Sequence, residues 1–295
     1  SHSVANEWAI YRWSKTINVS DEKIEGIENK IESNLYFKYL KTIYPINNAN
    51  VISGDKLKIN YSGDPKVLYI DDEAEKGWEE IFADFFGDKN NIYFDYLIED
   101  FKNLTQDQLI KSSLQKIKED DIDLVLLDFR LLPSDFSTKN LEEVTGVKLL
   151  KEIKELNSGI QVIIFSATNK IWNLQKLQES GADGFILKES PENSINTLFT
   201  ISSVYNFKLK VEESLKLKFK KQLFKKLESV IVNLINCDYI DDTDYADFIN
   251  SLKIQVKLVN NASKNISFSD KSTLDIVFLN CYNFLELFKS YYLRE

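Results

Sequence analysis

Short apolar runs alternate with amphipathic stretches between about residues 66 and 205. Each run is rich in β-branched or aromatic residues and is bounded by turn-forming or acidic residues, which is typical of strands buried on both faces. The five runs that we interpret as strands are 67–70, 92–98, 122–127, 160–165 and 185–187.

The segments between these runs repeat apolar residues every three or four positions, which predicts amphipathic helices. Ser190-Pro191 supplies an N-cap and a first-turn proline for one more helix after the last strand. Alternating strands and helices predict an α/β domain over 66–205, built on a five-stranded, doubly wound parallel sheet. The helices predicted between the strands cover 78–85, 104–117, 147–156 and 171–180.

Residues 1–65 are less regular, and we interpret them as a partly helical N-terminal extension. Helical spacing runs over 24–44 and ends at Pro45, while 47–65 carries the Asn, Gly and Asp residues of a loop or a short hairpin.

Residues 206–295 show no strand pattern, so we expect an all-α domain of effector or oligomerisation type. The predicted helices cover 206–237, 248–259 and 273–292. The last of these is rich in aromatic residues, which suit either a packed bundle core or a partner contact. We favour the core.

A lysine-rich stretch lies at the start of this region, with eight lysines between Lys208 and Lys226. It fits either a surface for nucleic acid or membrane, or a solvated helix face. The stretch lacks arginines and interleaved surface aromatics, which favours the solvated face.

Composition and charge narrow the functional classes. The 295 residues carry a net charge of -9. Residues 192–295 hold 14 Lys and Arg against 13 Asp and Glu, so the acidity lies in residues 1–191. A chain this acidic is a poor general binder of nucleic acid. The only histidine is His2, which excludes chemistry that depends on a histidine base or metal ligand.

Cysteine content and hydropathy bear on the compartment. The only cysteines are Cys237 and Cys281, too few for a disulfide framework. We find no apolar run of the roughly 18 residues that a membrane helix needs, and no signal-peptide pattern. We therefore expect a cytoplasmic protein without membrane insertion.

Candidate chemistry gathers just after the predicted strands, where ligands bind in sheets of this kind. Asp71, Asp72 and Asp128 would put three carboxylates into one pocket, where they would raise each other's pKa values. Oxygen ligands suit Mg²⁺, and the nearby Ser166 and Lys188 suit a phosphoryl group. A carboxylate can also act as the nucleophile and form an aspartyl phosphate.

Four segments at these strand ends resemble the receiver domain of two-component response regulators. They are Val-Leu-Tyr-Ile-Asp-Asp-Glu, Leu-Val-Leu-Leu-Asp, Ile-Ile-Phe-Ser-Ala and Gly-Ala-Asp-Gly-Phe-Ile-Leu-Lys, at 67–73, 124–128, 163–167 and 181–188. Each motif alone is weak, but four in order at strand ends are specific. The resemblance covers about 66–205 and implies a flavodoxin-like sheet with strand order 2-1-3-4-5.

The resemblance also implies a set of roles. Asp128 would accept a phosphoryl group from a histidine kinase or phosphotransfer protein. Asp71, Asp72 and Asp128 would hold Mg²⁺ together with the main-chain carbonyl of Arg130. The domain would catalyse its own phosphorylation and dephosphorylation, and we recognise no separate catalytic domain.

Three further residues take roles from the same resemblance. Ser166 and Lys188 would contact the phosphoryl group, and Ser166 with Phe185 would form the switch that responds to it. A new dianion that draws a hydroxyl and an ammonium inward would shift the neighbouring loops and helices.

Two departures from the family pattern stand out. Segment 131–146, after Asp128, is longer than receivers usually have. It would either gate the site and select the kinase, or form a surface insertion, which we favour. Glu189 stands where the family usually has a proline, so the usual cis peptide is not implied.

The leading hypothesis is a response regulator whose phosphorylation switches a helical C-terminal domain that binds a downstream protein, with a homodimer as a further possibility. One alternative is a DNA-binding transcription regulator that uses the basic helix at 216–226. Another is a receiver-like scaffold that is never phosphorylated, which the intact acidic set disfavours.

Overall fold

Five short parallel strands form one sheet at the centre of the larger of two units. The computed structural model describes residues 2–46, 51–61, 63–87, 91–167, 171–191, 194, 198–236, 243–264 and 271–292. The strands lie in the order β2-β1-β3-β4-β5, which confirms the predicted fold. Their bounds are β1 Lys66–Ile70, β2 Tyr93–Tyr96, β3 Leu124–Leu127, β4 Gln161–Ser166 and β5 Gly184–Leu187.

The strand register aligns the carboxyl ends of the central strands. Ile70 pairs with Leu127, and Leu127 pairs with Ile164 on the next strand. The residues that follow β1 and β3 therefore emerge side by side. β1 is buried after its first residue, and β3 and β4 are buried throughout, which explains their nearly continuous apolar sequences.

The helices between the strands agree with the sequence pattern. α6 begins at a capping box, in which Thr105 and Gln108 each bond the other's main-chain N–H. The helix after β5 begins at Phe199, with Leu198 as its N-cap. The predicted start at Ser190-Pro191 is wrong, because Ser190, Pro191 and Ser194 are not helical. Residues 192–193 and 195–197 lie outside the described residues. The bounds are α5 Trp78–Phe86, α6 Gln106–Glu119, α7 Thr145–Leu156, α8 Ile171–Glu179 and α9 Phe199–Lys216.

The N-terminal region is more helical than the sequence pattern indicates. It contains α1 His2–Ile17, α2 Glu22–Ser33, α3 Leu35–Ile43 and α4 Gly54–Leu57. The single helix predicted over 24–44 is wrong, because Asn34 interrupts it and caps the next helix by accepting a hydrogen bond from the Tyr36 N–H. Part of the loop predicted over 47–65 is α4, and 47–50 lie outside the described residues.

Helix α1 is buried along most of its length. Trp8, Arg12 and Trp13 are each 0% exposed. Trp13 meets Trp78, Phe165 and Phe207 edge-on, with ring centroids 5.5, 5.8 and 5.6 Å away. The hydrophobic core therefore runs without a break from the N-terminal helix to the sheet.

The C-terminal helices are α10 Phe219–Ile235, α11 Thr243–Lys264 and α12 Lys271–Tyr292. The single helix predicted over 206–237 is two helices, α9 and α10, and Cys237 lies outside the described residues. The C-terminal helices have their own core, in which the rings of Phe248 and Tyr291 stack 4.2 Å apart.

The chain divides into two compact units. One contains Ser1–Ile153 and Gln161–Leu217, and the other contains Lys154–Ile160 and Lys218–Glu295. The N-terminal helices thus belong to the same unit as the sheet. Within the described residues, we find no helix with the length and apolar character to cross a membrane.

Candidate functional site

Three carboxylates meet at the carboxyl ends of β1 and β3. One oxygen from each of Asp71, Asp72 and Asp128 lies within 4.8 Å of the other two. Asp71 and Asp72 follow β1 directly, and Asp128 follows β3, so the aligned strand register accounts for their proximity. The structure thus brings together the three acids that the sequence singled out.

Asp71 is buried and holds three hydrogen bonds. Its Oδ1 accepts from the Glu73 N–H at 2.8 Å, and its Oδ2 accepts from the Tyr69 hydroxyl at 2.6 Å. The Lys188 ammonium donates to the same Oδ2 at 2.5 Å. These contacts fix the carboxylate between two strands, because Tyr69 lies on β1 and Lys188 follows β5.

Asp128 is 2% exposed and has one oxygen available to a ligand. The Ser166 hydroxyl and the Phe129 N–H hydrogen bond to its carboxylate. Its Oδ1 is buried and has no hydrogen-bond partner among the residues that the structure describes. A buried carboxylate oxygen without a donor is costly, so this atom fits a site that completes its coordination from outside the chain.

The electrostatics of the cluster follow from burial and like charge. Burial raises the pKa of Asp128; the Lys188 ammonium opposes this shift, and Asp71 adds to it. Desolvation, together with the charges of Asp71 and Asp128, raises the pKa of Asp72 to about 8. Asp72 is the exposed member of the three acids.

Lys188 supplies the positive charge of the site. Burial alone would lower the pKa of its ammonium, but the carboxylates of Asp71 and Asp128 reverse the effect and the pKa is raised. The ammonium also lies 5.8 Å from the centroid of the Trp78 ring and 5.3 Å from that of Phe165. Lys188 is therefore held as a cation against an aromatic wall.

The donor set suits a hard divalent cation. Three carboxylates supply only oxygen ligands, one of them exposed, which leaves room for water or a phosphoryl oxygen in the coordination shell. The oxygen of Asp128 without a partner points to the same conclusion.

The roles predicted for Arg130 and Phe185 stay predictions. The Arg130 guanidinium lies over the rings of Phe129 and Phe136, 5.6 and 5.2 Å from their centroids. Phe185 lies on β5 and is half-buried.

The long segment after Asp128 is pinned by a buried residue that sequence reasoning missed. Asp135 is 1% exposed; its Oδ2 accepts from the N–H groups of Leu131 and Leu132, each at 3.0 Å. Its Oδ1 accepts from the Thr145 N–H at 3.0 Å and hydroxyl at 2.8 Å. Asp135 thus ties segment 131–146 to the start of α7. The only sequence signal for this role was an acidic residue in a polar stretch.

Backbone packing beside Asp128 depends on a glycine. A Cβ at Gly146 would lie 2.5 Å from the main-chain oxygens of both Asp128 and Phe129. No side chain fits there without movement of the backbone that carries Asp128.

Comparisons with known proteins agree with this geometry. Residues 95–200 match the family model of the response regulator receiver domain. They include Asp128, Ser166, Phe185 and Lys188, while Asp71 and Asp72 precede them. The chain is also 26% identical over 105 residues to the chemotaxis protein CheY of Halobacterium salinarum, a match that covers 36% of this chain and 79% of that protein.

Solved structures with some similarity include two receiver domains. The receiver domain of the Francisella response regulator 1452 is 22% identical, with a TM-score of 0.32, and the match covers 48% of this chain and 98% of that one. A CheY-like receiver domain protein from Methanospirillum hungatei is 20% identical, with a TM-score of 0.30, and the match covers 50% and 98%.

The family match runs from the second half of β2 to the start of α9, and the structure adds β1 in its expected place beside β3. The chain therefore contains a domain of the response regulator receiver family.

Proposed function

We propose that Asp128 accepts a phosphoryl group from a phosphohistidine of a kinase or phosphotransfer protein. A carboxylate oxygen of Asp128 forms the new P–O bond, the P–N bond breaks, and the imidazole leaves with a proton. The observation that carries the proposal is the buried Oδ1 of Asp128, which has no partner among the described residues and lies within a cluster of three carboxylates.

Asp71, Asp72 and Asp128 would hold Mg²⁺, with the main-chain carbonyl of Arg130 as a further ligand. The ion, when bound, neutralises charge on the carboxylates and on the transferring phosphoryl group. The pKa of Asp72, raised to about 8 by burial and by the neighbouring carboxylates, supports this assignment, because a bound cation offsets both causes.

Ser166 and Lys188 would respond to phosphorylation of Asp128 by binding the phosphoryl group. Ser166 already hydrogen bonds to Asp128, and Lys188 is a buried cation beside Asp71. A phosphoryl dianion on Asp128 offers both groups a stronger acceptor. Movement of Ser166 would change the packing around Phe185, the proposed switch residue.

A direct experiment uses the full chain with Mg²⁺ and a small phosphodonor. We expect the intact mass to increase by one phosphoryl group in the wild type and in Asp107→Asn, a control at an exposed acid of α6. Asp128→Asn should show no increase. Equal labelling of the wild type and Asp128→Asn would contradict the assignment, and labelling of neither would favour the scaffold alternative.

The C-terminal helices would carry the output by binding another protein. Their own core leaves apolar side chains exposed on α11 and α12, most of all Phe278 at 74% and Leu285 at 63%. Patches of this kind mark interaction surfaces. Beryllofluoride with Mg²⁺ should change hydrogen exchange in 243–292 in the wild type only, with Asp128→Asn as control. Light scattering on the same samples would reveal a homodimer.

DNA binding is the less favoured output. Lys220 and Lys221 are 4% and 3% exposed, so part of the lysine-rich stretch is not available to phosphates. We expect no shift of duplex DNA even at low salt, and a salt-dependent shift would restore this alternative.

A further inference from the structure

A buried ion pair joins the N-terminal helix to the loop that follows Lys188. The Arg12 Nε lies 2.7 Å from Oε1 of Glu189, and both side chains are 0% exposed. Glu189 is the residue next to Lys188, so α1 reaches the candidate site through one peptide link.

A polar network surrounds this pair. Arg12 also donates from Nε to the Thr200 hydroxyl at 2.9 Å and from a terminal nitrogen to the Tyr44 carbonyl at 2.6 Å. The Ser194 hydroxyl donates to Oε1 of Glu189 at 2.7 Å and accepts from the Trp8 indole N–H at 2.8 Å. Contacts from α1 and α9 thus hold the carboxylate after β5.

Stability alone is a weak reason for such a pair. Desolvation cancels much of the attraction in a buried ion pair, and an apolar pair of similar volume often serves as well. Burial raises the pKa of Glu189 even though Arg12 opposes the shift. Holding this carboxylate in the charged form therefore costs free energy. The contacts do fix the orientation of the Glu189 side chain, because Arg12 and Thr200 meet it from two different helices.

We propose that Arg12 and Glu189 are positioning residues for Lys188. By holding Glu189, the N-terminal helix sets where the Lys188 ammonium meets a phosphoryl group on Asp128. The proposal rests on the proposed function, since it assigns a role in recognition of the phosphoryl group.

The test separates phosphoryl recognition from metal binding, because a displaced Lys188 would lose its contact with the phosphoryl group, whereas the three carboxylates of Asp71, Asp72 and Asp128 all remain. The main variant is the double substitution Arg12→Met with Glu189→Leu, which removes both charges and leaves neither one unpaired. Calorimetry would measure Mg²⁺ affinity and then the affinity for beryllofluoride, a phosphoryl mimic, at saturating Mg²⁺. Ile17→Val, in the same buried helix, is the matched packing control.

We expect beryllofluoride to bind about tenfold more weakly to the double variant, the size of a weakened charged hydrogen bond. Mg²⁺ affinity should not fall, because Lys188 hydrogen bonds to Asp71 and its displacement would leave that carboxylate to the ion. Ile17→Val should change neither value. Thr200→Val, which removes the hydroxyl that accepts from Arg12 at nearly constant side-chain shape, should shift beryllofluoride binding in the same direction by a smaller factor. It serves as the test if the double variant does not fold.

The outcomes are distinct. Unchanged beryllofluoride binding would overturn the positioning role, and so would a parallel loss of Mg²⁺ binding, because a purely structural network would affect both. Failure of the wild type itself to bind beryllofluoride would instead count against the proposed function.

Discussion

The Lys188 Nζ lies 2.5 Å from Oδ2 of Asp71, and both side chains are almost wholly buried. The chain therefore carries its own cation within a cluster of three acids. Without a metal ion, Lys188 is the charge that opposes repulsion between Asp71 and Asp128.

We predict that Lys188→Met destabilises the protein by about 3 kcal/mol without Mg²⁺, because it leaves buried carboxylates unpaired. Saturating Mg²⁺ should restore more stability to the variant than to the wild type. Urea unfolding with and without the ion measures both effects, and Lys111→Met, at an exposed position, is the control. An equal loss under both conditions would contradict this account.

Mg²⁺ affinity should rise with pH between about 6 and 8. The pKa of Asp72 is raised to about 8, so binding at neutral pH must displace a proton from the acid cluster. Calorimetry in buffers of different ionisation enthalpy would detect the released proton. Asp72→Asn should bind Mg²⁺ more weakly and lose most of the pH dependence.

The stability of the metal-free protein should change in the opposite direction. Because the folded pKa of Asp72 exceeds its unfolded value of 3.8, the folded state binds more protons between those values. This contribution is present at low pH and is lost as the pH rises towards about 8. Urea midpoints without Mg²⁺ should therefore decrease from pH 6 to 8, and less so in Asp72→Asn.

Asp135→Ala should cost roughly 3 kcal/mol, because it leaves main-chain N–H groups buried without acceptors. Asp135→Asn should also destabilise, since one of its donor pairs would then face an amide NH₂ group. Lys139→Ala, in an exposed part of the same segment, should be nearly neutral. Thermal unfolding compares the three variants, and neutral behaviour of Asp135→Ala would show that the segment is held by other contacts.

Two glycines offer a matched contrast. Gly146→Ala should destabilise by more than about 2 kcal/mol, because its Cβ would lie 2.5 Å from two main-chain oxygens. Gly26→Ala, in α2 with nothing within 4 Å of the added carbon, should stabilise by roughly 0.5–1 kcal/mol. Denaturant titration distinguishes them, and similar effects at both sites would contradict the packing argument.

The sheet and the acid cluster could be predicted because burial on both faces leaves a clear sequence pattern. β3 is apolar along its length, and Asp128 follows directly. The rule that ligands bind at the carboxyl ends of strands then led from strands to Asp71, Asp72 and Asp128.

Helix α1 could not be predicted, because its polar residues are buried as well as its apolar ones. Arg12 finds its partners at Glu189 and Thr200, far away in the sequence, so no local periodicity marks the buried face. Tyr69 was missed for a related reason: a tyrosine in a buried strand looks like a core residue until its hydroxyl is seen to meet Asp71.

The burial of α1 also bears on how the chain is made. Trp8 and Ser194 are 186 residues apart, and Arg12 and Thr200 are 188 apart. At ribosomal rates of about 5–20 residues per second, α1 emerges roughly 10–40 s before these partners exist. During synthesis the tryptophans of α1 therefore lack their native surroundings. The helix can pack in its native position only after the segment that contains Ser194 and Thr200 has been synthesised.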